Sequence, residues 1–325
     1  MNTLYNVLVV GGTGLVGRKL IEILLDKNFP INQLISSKSD NTKEDLIIND
    51  RKIDLFKLDE KLFDNIDFCF FCSSNEVSLK WGEIAKKKCK YVIDNSSCYR
   101  MDKNTPLIIP EINKDKINSN FISNPNCSTI QSLLVLNEIK KKYKIEKIIY
   151  STYQSCSGGG KEELKELLMS RNKLSSIYSN YLCDTCISQI GNVDDSHFSL
   201  EEIKMINETK KILDDYKINV HASCIRVPVS YCHGVFIYVE VKEKVDINDV
   251  IDFIRQSNYL VYIKDNEIIY FQDAYDSEKV LVGRVKKDLV NDHAFSLFCV
   301  ADNLKVGAAF NAYNIAKVLI DENYI

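Results

Sequence analysis

The sequence has no excess of charge of either sign, because 42 lysine and arginine residues stand against 45 aspartate and glutamate residues. A nearly balanced chain has no strong field to draw it to nucleic acid or to an anionic membrane. It also lacks any run of ~18 apolar residues, the length that a membrane-spanning helix needs. The apolar content of 45% is that of ordinary globular proteins and is compatible with an enzyme or a binding module.

Export and metal-binding signals are also lacking. The first six residues contain no basic segment, signal-type core or cleavage site, which predicts a cytoplasmic protein. The eleven cysteines are then expected to be free thiols, because that compartment is reducing. Two CxxC pairs occur, but Cys69 and Cys72 lie in an apolar strand, and Cys183 and Cys186 have no second pair. We therefore expect no metal site, and most cysteines to be packing residues.

Short β-branched runs alternate with helical patterns over the first 125 residues. Residues 6–10 form a buried strand that ends in glycines, and residues 15–27 carry an amphipathic stripe. This alternation predicts the α/β class, with a doubly wound, Rossmann-type parallel sheet. Further strands are predicted at 33–36, 46–48, 53–56, 67–72 and 91–93, with a helix at 76–88.

The pattern changes near Pro125, where we place a domain boundary. We predict a first domain at 1–125, completed by a C-terminal helix within 305–325. The second domain, 126–304, is predicted to be α+β, with a mainly antiparallel sheet and helices on one face. Its predicted helices are 127–143, 161–170 and 199–216, and its predicted strands are 146–154, 222–229, 234–241, 260–263 and 294–300.

A glycine-rich turn follows the first strand and opens the first helix. It fits the pattern GxGxxG, and in this context its backbone N–H groups can approach a pyrophosphate at the positive end of the helix. The alternative is a glycine turn without a ligand. The residues predicted to bind a dinucleotide are Gly12, Thr13, Gly14, Leu15, Val16 and Gly17.

The end of the second strand indicates which dinucleotide binds. An NAD site usually offers Asp or Glu there to the ribose 2′-hydroxyl. This chain instead has hydroxyls and a cation, Ser36-Ser37-Lys38-Ser39. We therefore predict that Ser37, Lys38 and Ser39 bind the 2′-phosphate of NADP; the alternative is a solvated, serine-rich turn.

Cys127 is a candidate nucleophile, because it follows Asn124-Pro125-Asn126 and begins an apolar helical pattern. The orphan N–H groups and the dipole at a helix start favour a thiolate and lower the pKa of a thiol. Facing a nicotinamide, a thiolate can form a thioester that hydride reduces. Taken alone, a cysteine at a helix start is more often a packing residue.

Seven segments, in order and over nearly the whole chain, resemble the aspartate-semialdehyde dehydrogenase family. The most specific are SNPNCSTIQ (123–131) and RVPVSYCHG (226–234). The others are GGTGLVG (11–17), VIDNSSCYRMD (92–102), STYQSCSGGG (151–160), EEIKM (201–205) and DNLKVGAAFNAYNIA (302–316). The resemblance implies an NADP-dependent oxidoreductase that reduces L-aspartyl-4-phosphate to L-aspartate 4-semialdehyde. It also implies a place in the biosynthesis of lysine, threonine, methionine and diaminopimelate.

The resemblance further implies roles for individual residues. Cys127 matches the nucleophile, His233 the general acid/base, and Gln154 the residue that orients the substrate and helps hold the thioester oxygen. Arg226 matches the group that binds the substrate α-carboxylate, and Glu201 the group that receives its α-ammonium. The groups around the leaving phosphate match Arg100, Asn126 and Lys204.

Two further implications concern the cofactor and the assembly. Ser157 and Gly158, in the second glycine loop, match cofactor-binding positions. The second domain is implied to be catalytic and to form the contacts of a homodimer or homotetramer.

Two alternatives remain open from the sequence. A reductase of N-acetyl-glutamyl phosphate or of malonyl-CoA would share the cysteine chemistry, but the former needs no partner for a free ammonium, so Glu201 discriminates. A catalytically inactive paralogue, acting as a binding or scaffold subunit, would typically lose the nucleophile, and Cys127 is present.

Overall fold

The computed structural model describes residues 3–38, 45–171, 182–264, 266–322 and 324. The chain divides into two compact units, Met1–Pro125 with Ala308–Ile325, and Asn126–Gly307. Each unit contains its own sheet. No helix in the described ranges is long and apolar enough to cross a membrane.

The first unit is built on a seven-stranded sheet in the order β3-β4-β2-β1-β5-β6-β7. Neighbouring strands are parallel except β3 and β4, which pair antiparallel at the edge. The strands are β1 (Tyr5–Val10), β2 (Ile31–Lys38), β3 (Leu46–Ile48), β4 (Arg51–Lys57), β5 (Phe68–Phe71), β6 (Tyr91–Asp94) and β7 (Phe121–Ser123). All four residues of the central strand β5 are buried, as expected where helices cover both faces.

The helices of both units are numbered in chain order. They are α1 (Leu15–Asp26), α2 (Asn75–Lys88), α3 (Pro110–Asn113), α4 (Cys127–Lys140), α5 (Lys161–Arg171), α6 (Leu200–Leu213), α7 (Ile247–Gln256) and α8 (Phe310–Asp321). Helix α8 belongs to the first unit, where Ala312, Ile315 and Leu319 join the apolar core around β1 and α1. The ring of Tyr313 packs edge-on against Phe29, with centroids 6.2 Å apart.

The second unit contains a six-stranded sheet in the order β11-β12-β13-β10-β8-β9. Its three central pairings are antiparallel, and the outer pairs β11–β12 and β8–β9 are parallel. The strands are β8 (Ile145–Gln154), β9 (Asn219–Arg226), β10 (His233–Val241), β11 (Leu260–Tyr262), β12 (Val280–Lys287) and β13 (Ala294–Ala301). Burial alternates along β8 and β10, so one face of the sheet is core and the other is half-buried.

The predicted fold class is confirmed, but several element boundaries were wrong. The strand predicted at 222–229 runs from Asn219 to Arg226, which places Arg226 at its last position. The helix predicted at 199–216 ends at Leu213, because Asp214 adopts a left-handed conformation with φ 52°. Strands β7 and β12 and helices α3 and α7 were not predicted.

Candidate active site

Two glycines of the turn in the first unit have no room for a side chain. A Cβ on Gly12 would lie 2.2 Å from Ser36 Oγ, and a Cβ on Gly17 would lie 2.4 Å from the Gly11 carbonyl oxygen. Ser36 Oγ accepts a hydrogen bond from the Gly12 N–H (3.1 Å) and donates one to the Val9 carbonyl (2.7 Å). The turn is therefore tied to both β1 and β2, with its N–H groups at the start of α1.

A cavity of about 500 Å³ lies at the carboxyl ends of these parallel strands. Thr13 and Gly14 line it, whereas Leu15 and Val16 form the first turn of α1. Its other lining residues include two strand-end lysines, Lys38 and Lys57, which are direct partners in the β2–β4 register. No Asp or Glu is among the lining residues that the structure describes.

Two of the three residues predicted to contact a 2′-phosphate lie at this cavity. Ser37 and Lys38 line it, and Ser37 Oγ accepts a hydrogen bond from the Gly11 N–H at 3.0 Å. Lys38 is exposed. Ser39 lies outside the described residues.

In the second unit, Cys127 is the first residue of α4 and is partly exposed. Asn126 is the N-cap, and its Oδ1 accepts from the N–H groups of Ser128 (3.0 Å) and Thr129 (3.2 Å). A Cβ added to Gly307 would lie 2.7 Å from Cys127 Cβ, so the Gly307 backbone packs directly on the candidate nucleophile. The N-cap and this close contact together fix the position of Cys127 Cβ, and so the base of its side chain.

Glu201, on α6, is a buried carboxylate that contacts several of the predicted site residues. Its Oε1 accepts hydrogen bonds from Asn126 Nδ2 (2.7 Å) and Gln154 Nε2 (3.1 Å). Its Oε2 lies 3.1 Å from Lys204 Nζ. Burial by itself raises its pKa, but the Lys204 ammonium and these hydrogen bonds outweigh burial and lower the pKa to about 2. Glu201 is therefore anionic at neutral pH.

Arg226 ends β9 and is 5% exposed. Its Nε lies 2.5 Å from Glu163 Oε1, and its Nη1 donates to the Ser155 carbonyl at 2.9 Å. Burial raises the pKa of Glu163, although the neighbouring guanidinium lowers it. The guanidinium is thus held at Nε by Glu163 and at Nη1 by the Ser155 carbonyl.

His233 begins β10 and is fully buried. Its carbonyl accepts a hydrogen bond from Gln131 Nε2 at 3.1 Å. Because Gln131 is four residues after Cys127 on α4, the nucleophile and the residue that holds His233 share one face of that helix. Burial, and then the charge of Arg226, lower the pKa of His233 to about 3.

The second glycine loop lies against this histidine. A Cβ on Gly158 would come within 3.0 Å of His233 Nε2 and also within 3.0 Å of Arg226 Nη1. Ser157 is buried, and its Oγ donates to Asn303 Oδ1 at 3.1 Å. The loop therefore borders the predicted catalytic histidine and substrate arginine, in the same unit as Cys127.

Arg100 belongs to the first unit and follows β6. It is 7% exposed, and its Nη2 donates to the Asn95 carbonyl at 2.7 Å. The other predicted substrate and catalytic residues belong to the second unit, and there Asn126, Gln154 and Lys204 all contact Glu201. No group of three potential metal ligands is found in the described part of the chain.

Sequence reasoning missed five residues that build this region. Gln131, Ser155, Asn303 and Gly307 lie inside the segments that carry the family resemblance, but nothing in their local pattern gave them a role. Glu163 and Asn303 act through contacts with residues far away in the chain, at Arg226 and Cys232. Only the fold brings these partners together.

Comparison with known protein families identifies the class of protein to which the chain belongs. Residues 6–120 match the semialdehyde dehydrogenase NAD-binding domain, and residues 136–306 match the semialdehyde dehydrogenase dimerisation domain. The chain is 35% identical to aspartate-semialdehyde dehydrogenase 2 of Vibrio cholerae, over 100% of both chains. It is 33% identical to the Bacillus subtilis aspartate-semialdehyde dehydrogenase, over 98% of this chain and 99% of the relative.

A solved structure agrees with these relatives. Vibrio cholerae aspartate semialdehyde dehydrogenase II, complexed with ASA, superposes with a TM-score of 0.95 at 34% identity, covering 99% of this chain and 100% of the other. The chain belongs to the aspartate-semialdehyde dehydrogenase family. It is an oxidoreductase with a nicotinamide-dinucleotide-binding domain.

Proposed function

We propose that this chain reduces L-aspartyl-4-phosphate to L-aspartate 4-semialdehyde and phosphate with NADPH. The single observation that carries the proposal is one small region that combines a helix-start cysteine, a buried arginine and a buried, anionic glutamate. This set provides a nucleophile and one partner for each charge of an α-amino acid. The product feeds the biosynthesis of lysine, threonine, methionine and diaminopimelate.

The two charged groups select the amino-acid end of the substrate. Arg226 offers a planar edge for two parallel hydrogen bonds to the α-carboxylate. Glu201 receives the α-ammonium, and its low pKa keeps it charged at neutral pH. An N-acetylated substrate has no such ammonium, so Glu201 favours the free amino acid.

The acyl end reacts with Cys127. The thiolate attacks the acyl carbon, and phosphate leaves with stabilisation by Arg100 and Lys204, helped by the Asn126 amide. Gln154 orients the substrate, and His233 acts at the carbonyl oxygen. When bound, the nicotinamide supplies the hydride that turns the thioester into the aldehyde.

Three observations on the first unit support this choice of cofactor. Gly12 and Gly17 have no room for a Cβ, so the turn packs closely on Ser36 and on the Gly11 carbonyl at the start of α1, and the cavity beside it has no described carboxylate to repel a 2′-phosphate. Lys38 and Lys57 are direct partners on neighbouring strands, and both line the cavity, where their positive charge favours an anionic ligand. We therefore propose NADP, held by the glycine turn with Ser37, Lys38 and Ser39, and by Ser157 and Gly158 on the nicotinamide side.

The single tryptophan of the chain makes this testable without turnover, because Trp81 lines the cavity. Quenching of its fluorescence gives the Kd of NADP and of NAD. We expect NADP to bind more tightly, and Lys38→Gln and Lys57→Gln to weaken NADP about tenfold or more while leaving NAD nearly unchanged. The matched control is Lys61→Gln at an exposed site. Equal affinities for both cofactors in the parent enzyme contradict the proposal.

We propose a homodimer or homotetramer that uses the half-buried face of the second sheet. Phe236 and Tyr238 of β10, with Ile149 of β8 and Phe298 of β13, place apolar side chains on that face. A second copy that presents the same face would cover it. Sedimentation of Phe236→Glu should show a smaller species than the parent; an unchanged mass contradicts this interface.

We also propose a cytoplasmic location, which fits eleven free cysteines.

The enzymatic proposal is tested by NADP reduction with aspartate semialdehyde and phosphate, run beside N-acetylglutamate semialdehyde. Turnover with the first substrate and negligible turnover with the second is the expected result. Preference for the acetylated substrate, or no turnover with either, contradicts the proposal. Glu201→Gln should lose most of this discrimination.

A further inference from the structure

The start of helix α4, which carries Cys127, is capped from two elements. Asn126 Oδ1 caps the helix from within by accepting from the N–H groups of Ser128 and Thr129. The backbone N–H of Asn126 itself donates to Glu208 Oε2 at 2.7 Å. Glu208 lies 82 residues further along the chain, on α6, and is 1% exposed. The helix that begins with the candidate nucleophile therefore takes part of its cap from another helix.

Many helices satisfy this N–H with a residue of their own first turn. In a capping box, a Glu or Gln at the third helical position accepts from the N–H of the N-cap residue. Helix α6 is built in this way, because Glu202 Oε2 accepts from the Ser199 N–H at 2.7 Å. In α4 the third position is Thr129, whose hydroxyl instead donates to Met205 Sδ at 3.4 Å. Glu208 thus supplies from α6 the carboxyl group that α4 lacks at its own third position.

Three buried side chains on one face of α6 hold the start of α4. Glu201, Met205 and Glu208 are spaced four and three residues apart, so they lie on the same side of the helix. Glu201 Oε1 accepts from the Asn126 side chain, and Glu208 Oε2 accepts from the Asn126 backbone. Glutamate is almost never fully buried unless it has partners, because its removal from water is costly. Here both buried glutamates contact the same residue, Asn126, which is therefore held at its side chain and at its backbone.

We propose that Glu208 is a positioning residue for the nucleophile: it fixes the Asn126 peptide so that Cys127 lies where attack requires. This inference rests on the proposed function, in which Cys127 attacks the acyl carbon. Without an acceptor at Glu208, the buried Asn126 N–H has to stay unsatisfied, or the turn has to move to find another partner. Cys127 is the next residue, so such a movement displaces the thiol, and misplacement by about 1 Å can cost about a hundredfold in rate.

The same contact affects the reactivity of the thiol. The N–H groups at a helix start favour a thiolate only while they are held close to the sulfur. Loss of the Glu208 contact should therefore raise the pH at which Cys127 becomes reactive, as well as lower kcat. The substrate groups Arg226 and Glu201 are not altered, so the KM for aspartate semialdehyde should change little. A fall in kcat at nearly constant KM is what distinguishes a positioning residue from a substrate-binding one.

Two uncharged replacements of similar size isolate the hydrogen bond. Glu208→Gln and Glu208→Met both remove the carboxyl charge, but only Gln keeps a strong acceptor for the Asn126 N–H. We expect the kcat of Glu208→Gln to stay within about threefold of the parent, and that of Glu208→Met to fall about tenfold or more. The KM for aspartate semialdehyde should change by less than about threefold in both. Equal kcat in the two variants overturns the proposal.

Alkylation of Cys127 reports on the same contact without substrate. Tryptic peptide 117–140 contains this cysteine and no other, so labelling by iodoacetamide can be followed against pH by mass spectrometry. We expect the inflection in Glu208→Met to lie about half a pH unit or more above that in Glu208→Gln. Coincident inflections overturn the proposal. A shifted inflection in an enzyme that does not turn over aspartate semialdehyde would contradict the proposed function and leave the positioning role intact, so the two failures are distinguishable.

Two further variants separate positioning from a general loss of stability. Thr209→Val is the matched control, because Thr209 is the buried neighbour of Glu208 and its hydroxyl forms a hydrogen bond with the Tyr150 hydroxyl at 3.2 Å. It should lower the free energy of unfolding in urea without changing kcat or the Cys127 inflection; a loss of kcat as large as in Glu208→Met overturns the proposal. If Glu208→Met does not fold, Glu208→Asp takes its place, because it keeps the charge but is one methylene shorter and should not reach the Asn126 N–H. Parental kcat in Glu208→Asp overturns the proposal.

Discussion

Glu163 and Arg226 form an ion pair inside the second unit, with Glu163 Oε1 2.5 Å from Arg226 Nε. The Ser155 carbonyl takes a further N–H of the same guanidinium. Under the proposed function, the substrate carboxylate would meet an arginine that already has one carboxylate at its Nε. The ion pair with Glu163 holds the guanidinium plane. It also places a carboxylate near the proposed position of the substrate carboxylate, which carries the same charge.

Two replacements at Glu163 separate these effects. Glu163→Gln keeps an acceptor for Nε and removes the charge, so the KM for aspartate semialdehyde should stay the same or fall. Glu163→Ala releases the guanidinium, so KM should rise about tenfold, the value of one charge-assisted hydrogen bond. The control is the exposed neighbour, Glu162→Gln. A rise in KM of the same size in both Glu163 variants contradicts this account.

Arg226 itself tests the substrate class. Arg226→Lys keeps the charge but loses the planar fork, so kcat/KM should fall roughly 10- to 1000-fold. Arg226→Leu should lose more. Cofactor affinity, measured by Trp81 fluorescence, should be unchanged in both. A change of less than about threefold in Arg226→Lys means that no carboxylate is bound there.

Gly307 tests how closely the nucleophile is positioned. Gly307→Ala places a Cβ 2.7 Å from Cys127 Cβ, closer than two such atoms approach, so Cys127 must move. A displacement of this kind should lower kcat by about a hundredfold. The far-UV spectrum and NADP affinity serve as controls for folding. Parental kcat in this variant would show that the chemistry does not depend on the observed position of Cys127.

Glu201 links the active site to acid stability. Its pKa is lowered from 4.5 to about 2, so its contribution to folding is complete above pH 4.5 and is lost as pH falls toward 2. Glu201→Gln resembles the protonated form, so it should be less stable than the parent at pH 7 by roughly 3 kcal/mol. The difference in free energy of unfolding, measured in urea, should narrow below pH 4.5. A difference that stays constant down to about pH 3 contradicts the linkage.

Much of the first unit could be predicted because its signals are local. The strand, glycine turn and helix from Tyr5 to Asp26 are consecutive, and each has its own residue preference. The second unit was harder. Helix α7 has apolar residues at Ile247, Val250, Ile251 and Ile254, a helical spacing that the sequence analysis overlooked. In β12 the register shifts after Gly283, and Arg284 has a positive φ of 53°, so the alternation of a strand is broken.

The residues of the site likewise include some with a local sequence signal and some without one. Cys127 stands in a recognisable local setting, the start of a helix capped by Asn126. The partners of the site residues have no such local setting. Glu163 contacts Arg226, and Ser155 contacts His233, only because the folded second unit brings distant segments together. Their residue types are ordinary for a surface helix or a turn.

The central claim is a thioester on Cys127, and it is tested most directly by trapping that thioester. Enzyme mixed with aspartate semialdehyde and NADP in the absence of phosphate should form a burst of NADPH and stop. After acid quench and digestion, peptide 117–140 should carry one aspartyl group, and added phosphate should release it. Cys127→Ser should give neither burst nor adduct, while the exposed Cys186→Ser should behave as the parent. NADPH formation with an unmodified peptide 117–140, or with the adduct on another cysteine, would contradict the account.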